Sequence, residues 1–317
     1  MHGARTTSAI IMSASSSPTS LRRDWSRRRT ESRPLLTGII AVADQSRASC
    51  FSVGSVAATY DEIYLPRIFI PWAWLLLERT ALRAGEAVLD VATGPGTVAR
   101  LAAEQVGSQG RVLGADFSGA MIAIARAKPQ PAGAATIEYL VSPAAPLAAD
   151  DGGFDVVTCQ QGLQFFPDRP AAIREMNRAL KPGERVAAAV WREIALQPYF
   201  AAVDAALRQC LTADQAEPYG APFRWPRASD LVDAFREQGF TDVSVEELRR
   251  PLTFEGGIAQ AISALDASPV ATTVAQLDAA TLARLRRAAE RHLKPLVVED
   301  QVRTHMVANV VTARKGV

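Results

Sequence analysis

Short apolar runs alternate with helix-like stretches over the middle of the chain, and this alternation limits the fold more than any other feature. The runs are rich in Val, Leu and Ala, as in strands that are buried on both faces. Between them, apolar residues recur every three or four positions, which predicts amphipathic helices. Strands joined by such helices form parallel sheets with right-handed crossovers. The predicted strands cover residues 86–91, 111–115, 136–141, 154–159 and 185–191.

The chain after residue 191 predicts two further strands. The expected elements, in chain order, are helix 198–211, helix 228–238, strand 242–247 and strand 304–313. Residues 257–299 are mostly helical by their leucine spacing. We therefore predict an α/β fold, a doubly wound, mostly parallel seven-stranded Rossmann-like sheet, as one domain over residues 85–317. Its helical insertion, placed before the last strand, is expected to cap the ligand face.

The basic residues of the chain concentrate near its start. Residues 1–50 hold eight arginines and three acids, a net charge of +5, whereas the whole chain is at +2. The segment has neither helical nor strand periodicity, which predicts a disordered tail, a targeting peptide or a misassigned start. The rest of the chain is at 2 − 5 = −3, so no basic field favours nucleic acid as a partner. Residues 51–84 are helical and aromatic, and they either pack on the core or wall a pocket.

The cysteines and the hydropathy pattern indicate the cellular compartment that we expect for the protein. Cys50, Cys159 and Cys210 have neither the number nor the spacing of a disulfide framework or a metal site, so we expect no metal and a reducing, cytoplasmic location. No apolar run approaches the ~20 residues that cross a bilayer, so no integral membrane segment is expected.

A glycine-containing loop follows the first predicted strand. Asp90 ends that strand, Gly94-Pro95-Gly96 breaks it, and Asp116 ends the second strand twenty positions after Gly96 (116 − 96). Ligands of such sheets bind at the carboxyl ends of the strands. An acid at the end of the second strand can accept hydrogen bonds from both hydroxyls of a ribose. The alternative is a tight turn, with Asp90 capping the next helix.

Two ligands fit this loop. Gly94-x-Gly96-x-x-Ala99 with a later acid matches the dinucleotide fingerprint, which places a pyrophosphate at the helix N-terminus. Asp90 would repel a pyrophosphate there, whereas it would attract the cationic amino acid end of S-adenosylmethionine. S-adenosylmethionine is therefore the favoured cofactor, and a NAD(P)-dependent oxidoreductase is the alternative, although the chain has no Tyr-x-x-x-Lys pair.

Four segments resemble the class I S-adenosylmethionine-dependent methyltransferases, and most of all their ubiquinone/menaquinone-methyltransferase-like group. These segments, which occur in order within residues 55–317, are 88–100 (VLDVATGPGTVAR), 112–121 (VLGADFSGAM), 154–168 (FDVVTCQQGLQFFPD) and 179–190 (ALKPGERVAAAV). The resemblance is specific for fold and cofactor. It says little about the substrate, because the group methylates many small molecules.

The resemblance implies roles for residues at the strand ends. By analogy the methionine end is held by Asp90, Ala92, Gly94 and Gly96, the ribose by Asp116, the adenine by Phe117 and Met121, and the floor under the sulfonium by Cys159 and Gln160. Three positions depart from the family pattern. Ala92 and Glu184 replace glycines, and Ser142 stands near the place where an acid usually holds the adenine amino group.

Methyl transfer from a sulfonium is an in-line displacement, so orientation in a dry site supplies most of the catalysis. His2, His292 and His305 do not form a recognisable general base with an acid. Gln161, Gln164 and Tyr60 are the candidates for orienting a small aromatic or lipophilic methyl acceptor. For the two glutamines, the alternative is that they are solvated loop amides. For the function, a non-catalytic binding protein remains open as an alternative. For the assembly, a homodimer also remains open.

Overall fold

The computed structural model describes residues 60–225 and 227–317, and the extension expected over residues 1–50 lies outside this part of the chain. The described strands form one sheet in the order β3-β2-β1-β4-β5-β8-β6, with β7 paired to β8. The strands are β1 Ala87–Val91, β2 Arg111–Asp116, β3 Thr136–Val141, β4 Phe154–Gln160, β5 Leu180–Trp191, β6 Phe240–Phe254, β7 Val297–Val298 and β8 Gln301–Lys315. The predicted doubly wound α/β sheet is confirmed, with the two-residue β7 as an addition.

Strands β1 to β5 are mutually parallel, and β8 is antiparallel to both of its neighbours, β5 and β6. The described α-helices are α1 Ile70–Thr80, α2 Thr97–Val106, α3 Gly119–Ala127, α4 Arg169–Ala179, α5 Pro198–Cys210, α6 Ala213–Gly220, α7 Ala228–Glu237, α8 Gly257–Ser263, α9 Ala271–Ala275 and α10 Ala279–Leu293. A π-helical segment, Tyr60–Phe69, leads into α1.

The helices cover both faces of the sheet. Helices α1, α2 and α3 pack against one face of β1, β2, β3 and β4, whereas α4 and α7 pack against the other. Side-chain N-caps begin α3 and α4: Ser118 Oγ accepts from the Met121 N–H at 3.3 Å, and Asp168 Oδ1 accepts from the Ala171 N–H at 2.8 Å. The carboxyl ends of β1, β2 and β4 therefore meet at one edge with helix N-termini around them.

The predicted elements differ from the structure mainly after β4. The strand expected at 185–191 begins earlier, at Leu180, which pairs with Phe154, and residues 181–183 form a bulge before the regular register resumes at Arg185. The strand expected at 242–247 is longer, since it follows β8 along its whole length. Helix α6 was not predicted, and its interior Pro218 explains why the sequence pattern is weak there. In the insertion, α10 packs against α5, and the 264–267 turn contacts the π-helical segment.

A buried glutamine continues the sheet beyond the end of β5. Gln197 is fully buried; its Nε2 donates to the Val307 carbonyl at 2.8 Å, and its Oε1 accepts from the Val307 N–H at 2.9 Å. The side chain thus replaces a strand residue next to β8. Val307 also receives the Arg192 N–H on its carbonyl at 3.0 Å, so only its N–H depends on the glutamine alone.

We expect Gln197→Ala to lower the free energy of unfolding by about 2–3 kcal/mol, because it leaves the Val307 N–H buried without an acceptor. Denaturant unfolding followed by circular dichroism measures this loss. Gln209→Ala, on the exposed side of α5, is the matched control and should change stability little. Equal effects of the two substitutions would show that the buried pairing contributes nothing.

Candidate active site

The loop after β1 is fixed to the end of β2 by backbone hydrogen bonds. The Gly94 N–H donates to Asp116 Oδ2 at 2.9 Å, and the Thr93 N–H donates to the Ala115 carbonyl at 3.0 Å. Ala92 and the glycines Gly94 and Gly96 all have positive φ, at 58°, 54° and 81°. These three left-handed conformations turn the chain back on itself, so that α2 begins directly above the strand ends. Ligands of such sheets bind at this edge.

Asp90 lies beneath the loop and is only 1% exposed. Its Oδ2 accepts from the Thr93 hydroxyl at 2.6 Å, and its Oδ1 accepts from the Thr158 hydroxyl at 2.7 Å. Burial raises the pKa of the Asp90 carboxyl to about 6, and the two hydroxyl donors partly oppose this shift. The carboxylate is ionised at neutral pH and places a negative charge under the loop, in a setting where charge interactions are weakly screened.

Asp116 is the second acid at this edge. Besides Gly94, the Ser118 N–H donates to its Oδ1 at 2.8 Å, and burial raises the pKa of the carboxyl. Each oxygen keeps further acceptor capacity beyond these backbone donors. The two acids, which sequence reasoning predicted, are brought together at adjacent strand ends.

Tyr139 of β3 fills the space below the glycine loop, and sequence reasoning missed it. A Cβ on Gly96 would overlap the Tyr139 hydroxyl and lie 2.9 Å from its Cζ, so glycine is required here by space as well as by φ. The hydroxyl is buried and has no hydrogen-bond partner in the described part of the chain, and burial raises its pKa to about 12. The sequence signal for Tyr139 was the alternation of exposed and buried residues along β3, which places Ile137 and Tyr139 on the buried face of the strand.

Two solvent-exposed apolar side chains lie beside Asp116. Phe117 is 55% exposed and Val141, at the end of β3, is 51% exposed, whereas Met121 is buried in the first turns of α3. Sequence reasoning proposed Phe117 and Met121 and missed Val141. Ser142 is buried; its hydroxyl donates to the Pro143 carbonyl at 2.9 Å and accepts from the Ala148 N–H at 3.0 Å. That hydroxyl stabilises its own loop.

The end of β4 forms the other side of the site. Cys159 is fully buried, and burial together with the negative Asp90 raises the pKa of its thiol, which keeps it protonated and inert. The Gln160 side chain donates to the Phe69 carbonyl at 2.9 Å and so joins the segment before α1 to this edge. A Cβ on Gly162 would lie 2.6 Å from the Ala92 Cβ and 2.9 Å from Cys159 Sγ.

Gln161 and Gln164 follow β4, and the interpretation of these residues as solvated loop amides is wrong. They are 5% and 6% exposed, and both polar atoms of each side chain lack a partner within the described residues. Gln161 also has a φ of 54°, an uncommon conformation for a residue with a side chain. Unpaired buried amides are costly and mark positions where a ligand can supply the partners.

Two neighbours of these amides were not anticipated. Arg169 Nη2 donates to the Gln164 carbonyl at 3.0 Å, and its guanidinium lies 4.7 Å from the Trp225 ring centroid. Burial lowers the pKa of Arg169, although the group stays charged. Tyr60, the third candidate, stacks on Phe69 with the ring centroids 4.8 Å apart.

Within residues 60–225 and 227–317, no three His, Cys, Asp or Glu side chains gather as a metal site would need. No helix of this part of the chain combines the length and the apolar character needed to cross a membrane.

Sheet and site together define a class I S-adenosylmethionine-dependent methyltransferase. The antiparallel β8 between β5 and β6 departs from the all-parallel dinucleotide-binding sheet, and the buried charge of Asp90 suits a cationic amino acid end better than a pyrophosphate. Residues 42–252 match the model of the ubiE/COQ5 methyltransferase family, and the chain belongs to this family.

The curated relatives carry methyltransferase names. The chain is 33% identical to nocamycin O-methyltransferase of Saccharothrix syringae, over 65% of this chain and 76% of that protein. It is 31% identical to demethylmenaquinone methyltransferase of Lactococcus lactis, over 61% and 82%. The match to 2-phytyl-1,4-naphtoquinone methyltransferase of Synechococcus elongatus is 39% identical but spans 37% of this chain and 50% of that protein.

Solved structures share the fold. Phosphoethanolamine N-methyltransferase 2 of Haemonchus contortus, solved with S-adenosyl-L-methionine, superposes with a TM-score of 0.56 at 19% identity, covering 88% of this chain and 61% of that one. The YcgJ protein of Bacillus subtilis superposes with a TM-score of 0.53 at 18% identity, over 77% and 98%.

Asp90 should make stability depend on pH. Its folded-state pKa of about 6 lies above the ordinary aspartate value of 3.8, so the folded state holds an extra proton between these values and loses stability as the pH rises through them. We expect Asp90→Asn to remove this loss, worth about 3 kcal/mol above pH 6. Urea unfolding from pH 4 to 7.5 measures it, with the exposed Asp233→Asn as control. Parallel pH curves for wild type and Asp90→Asn would contradict the assignment.

Ala92 and Gly162 should be energetically coupled. Gly162→Ala is expected to destabilise the protein by about 2 kcal/mol through overpacking, and Ala92→Gly should recover at least half of that loss by removing the nearer clash. A double-mutant cycle from denaturant unfolding gives the coupling. Gly119→Ala, where an added Cβ meets open space, is the control. Strictly additive effects would show that the two positions do not interact.

Proposed function

We propose that this chain transfers a methyl group from S-adenosylmethionine to a small aromatic or lipophilic acceptor, with Gln161 and Gln164 binding polar atoms of the acceptor. The observation that carries the proposal is the pair of buried, unpartnered amides next to the strand ends that bear Asp90 and Asp116. An amide presents one acceptor and two donors, so it suits a carbonyl, phenol or enol oxygen. The relatives named for naphthoquinone and demethylmenaquinone methylation support an acceptor of this kind.

The cofactor residues follow the sequence assignment, with the exposed Val141 in place of the buried Met121 beside the adenine. Asp116 would accept from the ribose hydroxyls, Phe117 and Val141 would flank the adenine, and the loop of Ala92, Gly94 and Gly96 would lie against the methionine end. Asp90 acts through its charge and through the threonine hydroxyls, because it is buried beneath the loop. Ser142 contributes by holding its loop closed, and Cys159 and Gln160 form the floor.

When bound, the sulfonium supplies an activated methyl group. An acceptor aligned with the S–C bond would receive this methyl group by in-line displacement, with the sulfur as the leaving group. The chain's own part is to exclude water and to align the acceptor. His305 lies on β8, where burial lowers its pKa, and His292 lies on α10. Neither histidine has a carboxylate partner among the described residues, so we propose an acceptor whose nucleophilic atom is already acidic.

Three wider features belong to the same proposal. The segment 60–84 walls the acceptor pocket, since Gln160 binds the Phe69 carbonyl and Tyr60 stacks on Phe69. The insertion over 257–299 supports that wall through its contact with the π-helical segment. A cytoplasmic location, a small molecule rather than nucleic acid as the partner, and a homodimer remain predictions.

The test separates cofactor binding from turnover. By calorimetry, S-adenosylmethionine and S-adenosylhomocysteine should bind and NADH should not, and Asp116→Ala should weaken binding at least about tenfold. In assays with a demethylmenaquinol-type acceptor, Gln161→Ala and Gln164→Ala should lower kcat at least about tenfold with unchanged cofactor affinity. Gln209→Ala is the surface control. Cofactor binding without turnover on any quinol or phenol would favour a non-catalytic binding protein, and NADH binding alone would refute the methyltransferase assignment.

A further inference from the structure

Strand β6 ends the sheet and offers a long edge. One side of Phe240–Phe254 pairs with β8, and the other side carries no strand among residues 60–225 and 227–317. The opposite edge strand, β3, is only six residues long, whereas β6 has fifteen. An edge of this length is a template for a strand of another chain unless its side chains prevent that pairing.

Pro251 identifies which backbone groups of β6 face outward. It pairs with His305 of β8, and proline has no N–H, so it occupies a position whose amide points away from the ladder. In an antiparallel strand this direction alternates, so Glu247 and Arg249 share the orientation of Pro251. Their N–H and carbonyl groups therefore point to the outer side of the sheet.

The charges along this edge are ordered symmetrically. Residues 246–250 read Glu-Glu-Leu-Arg-Arg, with both acids before Leu248 and both bases after it. If a second copy pairs antiparallel about Leu248, Glu246 lies opposite Arg250 of that copy and Glu247 lies opposite Arg249 of that copy. Two-fold symmetry repeats each pair, and directly opposed residues share a face of the sheet.

The side chains already lie on the faces that this pairing needs. Glu246 binds Arg79 of α1 at 3.0 Å, and Arg250 Nη2 lies 3.5 Å from the Pro71 carbonyl of the same helix, so both are on the α1 face. Glu247 binds Arg192 on the other face. Glu246 and Glu247 keep 52% and 49% of their side chains exposed. Arg249 is exposed and has no ion pair or hydrogen bond within the described part of the chain.

Neighbouring registers are disfavoured by the same charges. A shift that moves the axis to Glu247 places this acid against itself, and a shift to Arg249 places two arginines face to face. Like charges directly opposite each other destabilise a strand pair. In the register centred on Leu248, no like charges oppose each other from residue 243 to residue 253.

We propose that this chain forms a two-fold dimer by antiparallel pairing of β6 with β6 of a second copy, centred on Leu248. Glu247 and Arg249 of the two copies exchange backbone hydrogen bonds, and Val245 donates its N–H to the carbonyl of Pro251 of the second copy. The four charged side chains select both the partner and the register.

Complementary charge reversals test the dimer in the full chain. Arg249→Glu and Glu247→Arg each oppose like charges across the axis, so each variant alone should be monomeric, with the dimer Kd raised at least about tenfold. Mixed together, one copy of each restores every opposite-charge pair and should give a heterodimer. Native mass spectrometry distinguishes the species, circular dichroism checks that each variant folds, and Arg287→Glu on the exposed face of α10 is the matched control.

The expected result is a wild-type dimer, two monomeric variants and a one-to-one heterodimer on mixing. A wild-type monomer at micromolar concentration would overturn the proposal. So would a dimer that persists in either variant, or folded variants that fail to combine. Arg249→Pro removes an outward N–H as well as the Arg249 side chain, and it should abolish the dimer while the thermal midpoint of the monomer changes little.

Discussion

The site depends on a negative charge that is kept ionised inside the sheet. Asp90 is surrounded by protein, and two threonine hydroxyls, one from the loop above and one from the neighbouring strand β4, supply what water would supply outside. The same two bonds join the loop to β4, so the charge and the geometry are fixed together. Asp116 completes the arrangement by binding the Gly94 N–H, which couples the loop to β2. A ligand with a cationic end meets a field that is already in place, without reorganisation.

Much of this could be read from the sequence, since it is carried by local patterns. The strands β1 to β4 are short apolar runs with clear breaks, and the Asp90, Gly94, Gly96 and Asp116 spacing follows from where those runs end. What could not be read depends on contacts between distant residues. Tyr139 reaches Gly96 across β2, and Gln197 reaches Val307 through more than a hundred positions of chain. The residue pattern within each segment does not predict these contacts.

The loop after β4 shows where sequence reasoning could not decide between two alternatives. Glutamine is usually solvated and a loop usually lies on the surface, so the pattern left Gln161 and Gln164 equally open to a solvated loop and to a role in the site. The structure buries both amides, and their polar atoms have no partner among residues 60–225 and 227–317. A fold tolerates unpaired buried amides at a functional site, where a bound ligand supplies the missing hydrogen bonds. These two amides therefore indicate the proposed acceptor side of the site more directly than any sequence motif does.

The contact between Ala92 and Gly162 has a consequence for how related chains can differ. A methyl group in this contact must belong to one residue or the other, because the space between β1 and β4 holds only one. With glycine at the first position, a methyl group at the second has Cys159 Sγ as its nearest neighbour, at 2.9 Å, whereas alanine at both positions brings the two methyl groups to 2.6 Å. A loop grafted from a relative with a different residue at either position must therefore bring the opposite residue with it.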